Sequence, residues 1–325
     1  MSILRLRRSH LALKYEKSVT KLASHRSLAL LWVVFLLVEW RPLVNTLALA
    51  LRDDEYTHVL LIFPISATLI FLEWRSLRPM FAPNVRIGCL LLAMAVLVTG
   101  FVRGWSASIP SDMQLSIRMF SLVLSWIGAF ILCSGSRVSR SLLFPLCFLF
   151  WLVPFPQAVL NEIVSLLQQG SALTAHVLFA AVGVPVAKDG VLLTIPGLTV
   201  EVAKECSSIR SSLMLVVCSM VLAHLFLRSG WGKVLVVLVA IPLSVAKNGL
   251  RIFTIAMLGT RVDPGFLDGR FHRNGGILFF LLSLAGLLVL LWLVGWAEGK
   301  TTTQAGSARE CTTAPHPHLS SHVGY

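Results

Sequence analysis

Apolar and polar positions in this chain are segregated into blocks. Long apolar runs recur, separated by short polar clusters, and most approach or exceed the roughly 17–20 residues that a helix needs to cross a bilayer. The pattern predicts eight membrane spans: Ser27–Leu51, His58–Trp74, Ile87–Val102, Ile117–Cys133, Ser141–Phe155, Cys206–Phe226, Val234–Leu258 and Gly275–Trp296. The first is interrupted by Glu39-Trp40-Arg41-Pro42, and no small-residue cleavage site closes it, so it reads as a retained helix. The fifth is short and ends in Pro154-Phe155-Pro156. The seventh is expected to kink at Pro242, which lacks the N–H of a helical residue.

Residues 157–205 have a different texture. Asn161, Glu162, Gln168 and Gln169 break the apolar run, and the pattern predicts helices lying on the membrane surface. A span hidden in Ala172–Val186 is the alternative. Toward the end of this stretch, Thr199-Val200-Glu201-Val202 alternates with period two. Pro196-Gly197 suits the central positions of a type II turn, where Gly accepts positive φ. A small β-hairpin is therefore predicted just before Cys206. The expected fold is an all-α polytopic membrane protein with a small extracytoplasmic helical and β-hairpin insertion. It comprises a basic cytoplasmic arm (1–26), a transmembrane domain (27–298, insertion 157–205) and a disordered cytoplasmic tail (299–325).

Composition agrees: 56% of residues are hydrophobic and 13% charged, against roughly 25% charged in soluble domains. The net charge of +13 would suit nucleic acid, but its distribution argues for a membrane. With the N-terminus inside, the segments 1–26, 73–86, 134–140, 227–233 and 297–325 face the cytoplasm. They hold 16 Lys and Arg against 4 Asp and Glu, as the positive-inside bias requires. A span within 172–186 would reverse all that follows and put Arg228 and Lys233 outside. No nucleic-acid partner is expected.

Polar residues beside spans are costly and mark function. Three clusters fall on the predicted outer face. Glu205-Cys206-Ser207-Ser208-Ile209-Arg210 opens the sixth span and puts Cys206 at a helix N-terminus, where the dipole favours a thiolate. Arg210 lies one turn further on the same face. Lys247-Asn248-Gly249-Leu250-Arg251 ends the seventh span, with Asn248 and Arg251 sharing a face. Phe271-His272-Arg273 precedes the eighth. Each alone has a plain explanation: a capped helix start, a snorkelling arginine, a solvated loop histidine. Together, a thiol, a guanidinium and an imidazole can perform acyl transfer through a thioester. Arg210 and Asn248 are candidate substrate-binding residues. Cys89, Cys133, Cys147 and Cys218 read as small apolar residues. Spacing supports neither a disulfide framework nor a metal site, and no cofactor is expected. His58 reads as an interfacial residue.

At these residues the sequence resembles the exosortase/archaeosortase family. The resemblance runs from about Asp53 to Leu290 and is carried by Tyr56-Thr57-His58, Phe144-Pro145, Pro154-Phe155-Pro156 and Gly183-Val184-Pro185-Val186. Its most specific parts are Glu205-Cys206-Ser207-Ser208-Ile209-Arg210-Ser211, Asn248-Gly249-Leu250-Arg251-Ile252, and His272 with Gly276. Ser208 stands where the family usually has Gly. The resemblance implies that Cys206 is the thioester nucleophile, Arg251 the proton donor or oxyanion partner, and His272 the third member, as in the bacterial branch. It implies a cysteine protease or transpeptidase of the bacterial inner membrane with its site on the periplasmic face. Its partners would be membrane lipids and secreted proteins bearing a C-terminal Pro-Glu-Pro-like signal and a transmembrane helix, in connection with exopolysaccharide production. The substrate's helix would pack against small residues of the sixth and seventh spans. A transporter of envelope polysaccharide and a non-catalytic assembly component are the other readings. Polar residues grouped at one face argue against the transporter.

Overall fold

The structure is a computed structural model. It describes residues 30, 33, 34, 37, 39–77, 84–202, 209–268 and 270–312. The basic arm, most of the N-terminal half of the first predicted span, Cys206 with its neighbours, and the last residues of the tail lie outside them. The chain forms two compact units, Met1–Ser165 and Leu166–Tyr325.

The first unit contains α1 (Trp40–Arg52), α2 (Val59–Leu77), α3 (Val85–Gly104), α4 (Ser111–Ser134), α5 (Ser136–Ser141) and α6 (Leu143–Phe148). The next helix, α7 (Gln157–Ala181), begins here. Close packing of α3 on α4 depends on two glycines. A Cβ on Gly88 would stand 2.7 Å from the Leu132 Cα, and one on Gly128 would stand 3.1 Å from the Leu91 Cβ. Small residues let helices approach where no hydrophobic effect drives them together.

The fifth predicted span is present as a broken segment. α6 passes into a 3-10 turn over Leu149–Leu152. It runs antiparallel to α2: Ser66 Oγ donates to the Pro145 carbonyl at 2.6 Å, and the Tyr56 hydroxyl donates to the Phe155 carbonyl at 3.0 Å. Pro145, Pro154 and Pro156 have no N–H to give a regular helix, and Ser66 of α2 and Tyr56, just before it, bond to two carbonyls of the broken segment.

Among the described residues, seven helices are long and apolar enough to cross a membrane by length and composition. Two differences from the sequence expectation stand out. Residues 157–181, expected as surface helices, form one 25-residue helix of membrane-crossing length and hydropathy. Helix formation leaves its Asn and Gln side chains free to bond locally, as Gln157 does to Asn161 at 3.0 Å, so scattered polar residues do not break it. His58, expected at the interface, is fully buried, with its ring edge-on to Trp151 at 6.0 Å.

The second unit holds the rest of α7, a three-stranded sheet, α8 (Ile209–Phe226), α9 (Gly230–Arg261), the short α10 (Gly265–Asp268) and α11 (Arg270–Thr312). The polar loop expected over Gly259–Asn274 is mostly helical, and α11 runs on into the region expected as tail. The sheet is antiparallel in the order β1 (Ala187–Asp189), β2 (Leu192–Ile195), β3 (Leu198–Glu201). The predicted hairpin is β2–β3, with Ile195 opposite Leu198 and Gly197 at φ +85° in the Pro-Gly turn. The third strand, β1, joins through Gly190 at φ +57°.

Candidate functional site

The hairpin is not an appendage. Leu193, Ile195 and Val202 pack into one apolar cluster with Ala172, Ala175 and Phe179 of α7 and Ile252 and Ala256 of α9. Phe179 meets Phe253 edge-to-face at 5.0 Å. Gln168, one of the residues that disturb the apolar texture, donates from Nε2 to the Val202 carbonyl at 2.6 Å. Val202 and Ile209 are both buried, so the chain is anchored on either side of the segment carrying Cys206. Ile252, next to Arg251, belongs to the same cluster as Val202. One small core thus holds Val202, ahead of the Cys206 segment, and Ile252, next to Arg251.

The helices carry this to the membrane. α8, α9 and α11 pack against one another. α8 and α11 begin, and α9 finishes, at a common end of this three-helix group. Cys206 precedes α8 by three residues, Arg251 lies in the last third of α9, and His272 falls in the first turn of α11. At the opposite end, the α8–α9 turn is closed by Glu298 of α11, which accepts from the Arg228 N–H at 2.9 Å and the Ser229 N–H at 3.3 Å. Ser229 also caps α9 by accepting from the Gly232 N–H at 2.9 Å. The cysteine itself lies outside the described residues, and α11 places the His272 backbone alone.

The two candidate binding residues have different surroundings. Arg210, on the first turn of α8, is exposed. Asn248 is buried, and its side-chain amide donates to Ser171 Oγ of α7 at 2.9 Å. Its neighbour Lys247, also buried, donates from Nζ to Ser211 Oγ of α8. Between these clamps and Arg251 stands Gly249, where a Cβ would meet the Thr174 Cβ at 2.4 Å and the Ser171 carbonyl at 3.0 Å. Close approach at this small residue is therefore already used by α7.

In the sequence Lys247 carries no role beyond its place in the Lys247–Arg251 cluster. An ionisable side chain inside a span is a functional signal, but only the packing reveals its partner. It lies one turn before Arg251 and ties α9 to α8, the helix that follows Cys206. With the catalytic roles that the resemblance implies for Cys206 and Arg251, replacing Lys247 by the similarly shaped Met is expected to keep the fold while lowering cleavage of a sorting-signal substrate about tenfold. Lys247→Arg should recover part of the loss. Adding Ser211→Ala to Lys247→Met should cost little more, because paired residues are non-additive. A cleavage assay on the single and double variants checks this; fully additive losses would refute the clamp.

Sequence reading also missed a second charged cluster. Glu39, noted as an interruption, is buried and accepts from Arg103 Nη2 at 3.3 Å and from Arg118 Nε and Nη2 at 3.2 and 2.8 Å. Arginines at span ends call for a counter-ion, yet nothing in the sequence says which of 15 acidic residues supplies it. Among the described residues, no group of three His, Cys, Asp or Glu side chains is arranged to hold a metal ion.

Fold and site together define a polytopic helical membrane protein whose thiol, guanidinium and imidazole candidates belong to elements meeting at one end of a helix group. Over residues 40–289 the chain matches the family model described as Transmembrane exosortase (Exosortase_EpsH), and it belongs to that family. The family is protease- or transpeptidase-like in its general role. No curated protein and no solved structure matches the chain.

Proposed function

We propose that this protein is a thiol transpeptidase or protease that cleaves secreted proteins at a C-terminal sorting signal, with Cys206 as nucleophile. The reading rests above all on the shared core: Val202 and Ile252, neighbours of the Cys206 segment and of Arg251, lie in one cluster. The Cys206 thiolate attacks the scissile carbonyl carbon, and Arg251 stabilises the oxyanion or donates a proton. The tetrahedral adduct collapses with loss of the amine, which takes a proton from His272 or Arg251 and leaves an acyl thioester. Water or an amine, activated by the same imidazole, then attacks the thioester and returns the thiol. The substrate class is a secreted protein with a Pro-Glu-Pro-like motif, a single membrane helix and a basic tail, in the context of exopolysaccharide production.

Co-expression with a tagged protein of that design tests the proposal. Wild type is expected to cleave it, and Arg251→Ala and His272→Ala to cleave it at least tenfold more slowly at equal membrane abundance. Wild-type rates in both variants would refute the assigned roles. No cleavage by wild type would favour a non-catalytic assembly component.

We further propose that the reactive end faces the periplasm across a bacterial inner membrane. This assignment rests on the charges of the second unit itself and not on a count of spans from the N-terminus, which α7 as a further span would reverse: Arg228, Lys233 and Lys300 belong to the opposite end of the α8–α9–α11 group, and cationic residues collect on the cytoplasmic side. In a variant lacking native cysteines, Lys188→Cys, exposed on β1, is therefore expected to react with a membrane-impermeant maleimide in intact spheroplasts, and Ser229→Cys only after lysis. The reverse pattern would invert the assignment.

A further inference from the structure

The Glu39 cluster borders a cavity in the first unit that the proposed chemistry does not use. It has a volume of about 200 Å³ and lies along α3 and α4, lined by Ala95, Thr99, Gly100, Arg103, Ser121 and Leu122 together with the buried Glu39. From Arg103 back to Ala95 is two turns of helix, roughly 12 Å.

Its walls are effectively apolar. Ser121 Oγ donates to the Ala95 carbonyl at 2.7 Å, so its only proton is used, and Thr99 Oγ1 must donate in the 2.7 Å bond between the two hydroxyls. Ser125, which also lines the cavity, donates to the Leu122 carbonyl at 2.7 Å. No hydroxyl proton is left to attract a polar guest.

The mouth is cationic. Arg118 grips one oxygen of Glu39 with two nitrogens, while Arg103 reaches the other oxygen through Nη2 alone, at 3.3 Å. Among the described residues no other carboxylate lies within 4.0 Å of either guanidinium. One carboxylate against two guanidiniums leaves one positive charge. Arg103 carries its accessible part, with a side chain 55% exposed against 25% for Arg118. Trp105, exposed and stacked on Phe101 at 5.7 Å, marks the level of the membrane interface just beyond Arg103. A slot of apolar walls with a spare guanidinium at headgroup level is complementary to an amphiphile with an anionic head.

We propose that this slot binds one anionic phospholipid, with its phosphate on Arg103 and an acyl chain along Gly100 and Ala95. Gly100 supplies a test independent of charge. A Cβ there meets no atom within 4 Å, so the backbone at this lining position has room for a side chain, and Gly100→Leu narrows the slot.

The full chain in detergent is examined by native mass spectrometry with dioctanoyl phosphatidylglycerol, dioctanoyl phosphatidylcholine or inorganic phosphate. Wild type should retain one phosphatidylglycerol in preference to phosphatidylcholine, and should retain no inorganic phosphate. Arg103→Gln and Gly100→Leu should each weaken phosphatidylglycerol binding about tenfold or more, with unchanged helical circular dichroism. Equal retention in wild type and Gly100→Leu overturns the proposal, even if Arg103→Gln fails to fold. So does equal retention of the two lipids. Inorganic phosphate bound as well as the lipid would replace it with a simple anion site. No phosphatidylglycerol on wild type would end it.

Discussion

Cys206→Ala is expected to leave the chain folded and inserted while reducing cleavage of a sorting-signal substrate by roughly 10⁴-fold or more, since in the proposed mechanism it removes the nucleophile and with it the covalent path. The flanks of the residue explain why the fold should survive. Val202 and Ile209, on either side of it, are buried apolar residues, and alanine at position 206 removes neither. Alanine replacement of Cys133 or Cys218, which sit within α4 and α8, should leave cleavage near wild type. Matched membrane abundance and a product band measured against time make the comparison. Full activity in Cys206→Ala would end the thioester mechanism; full loss in Cys133→Ala would show that the assay reports folding.

The largest structural effect is expected at Gly249. Its missing side chain lets α9 lie against α7, and a Cβ would stand 2.4 Å from the Thr174 Cβ. That atom belongs to the fixed stem of a β-branched residue, whose hydroxyl is itself bound to the Gly170 carbonyl at 2.9 Å. The helices must separate. Gly249→Ala should therefore destabilise by about 1–3 kcal/mol, the usual range for overpacking, although Ala ordinarily favours a helix over Gly. Cleavage should fall with it, because Arg251 follows two residues later and Asn248, the clamp to Ser171, stands immediately before. The double variant Thr174→Gly/Gly249→Ala removes the Cβ clash and should restore much of both properties. Gly100→Ala, in open space, should be neutral or slightly stabilising. Thermal melts in detergent alongside cleavage rates decide the matter. A stable, active Gly249→Ala would mean that the α7–α9 approach is looser than 2.4 Å implies.

These expectations bear on where a thiol site in a membrane obtains its precision. Helices α8, α9 and α11 share one end, but helices alone leave side chains free to rotate and slide. The added restraint comes from the hairpin core and the clamps of Lys247 on Ser211 and Asn248 on Ser171. Asn248 thus enters as part of the scaffold. Arg210, the other candidate for binding substrate, is exposed on the first turn of α8.

Much of this was legible without coordinates. Span positions follow from composition over some twenty residues, because each helix satisfies its own backbone in lipid whatever its neighbours are. The β2–β3 turn was legible in Pro196-Gly197, since only backbone preference is involved, and Gly197 does adopt φ +85°. The three chemical clusters were visible because polar residues beside spans are conspicuous. Membership of the transmembrane exosortases follows from that same pattern over residues 40–289.

The rest depended on partners distant in the chain. Glu39 became a counter-ion for Arg103 and Arg118 only because α3 and α4 bring those residues to it across 64 and 79 positions. His58 became a core residue because Trp151 covers it, and α7 formed one helix where its polar residues suggested surface pieces. Lys247, Asn248 and Gly249 looked like one polar stretch, yet each meets a different atom, in Ser211, Ser171 and Thr174. Sequence by itself determined what each segment is, because propensity, hydropathy and turn chemistry act within a few residues. Tertiary structure alone decided which side chains are paired, buried or pressed together, because those energies exist only between segments that folding brings into contact.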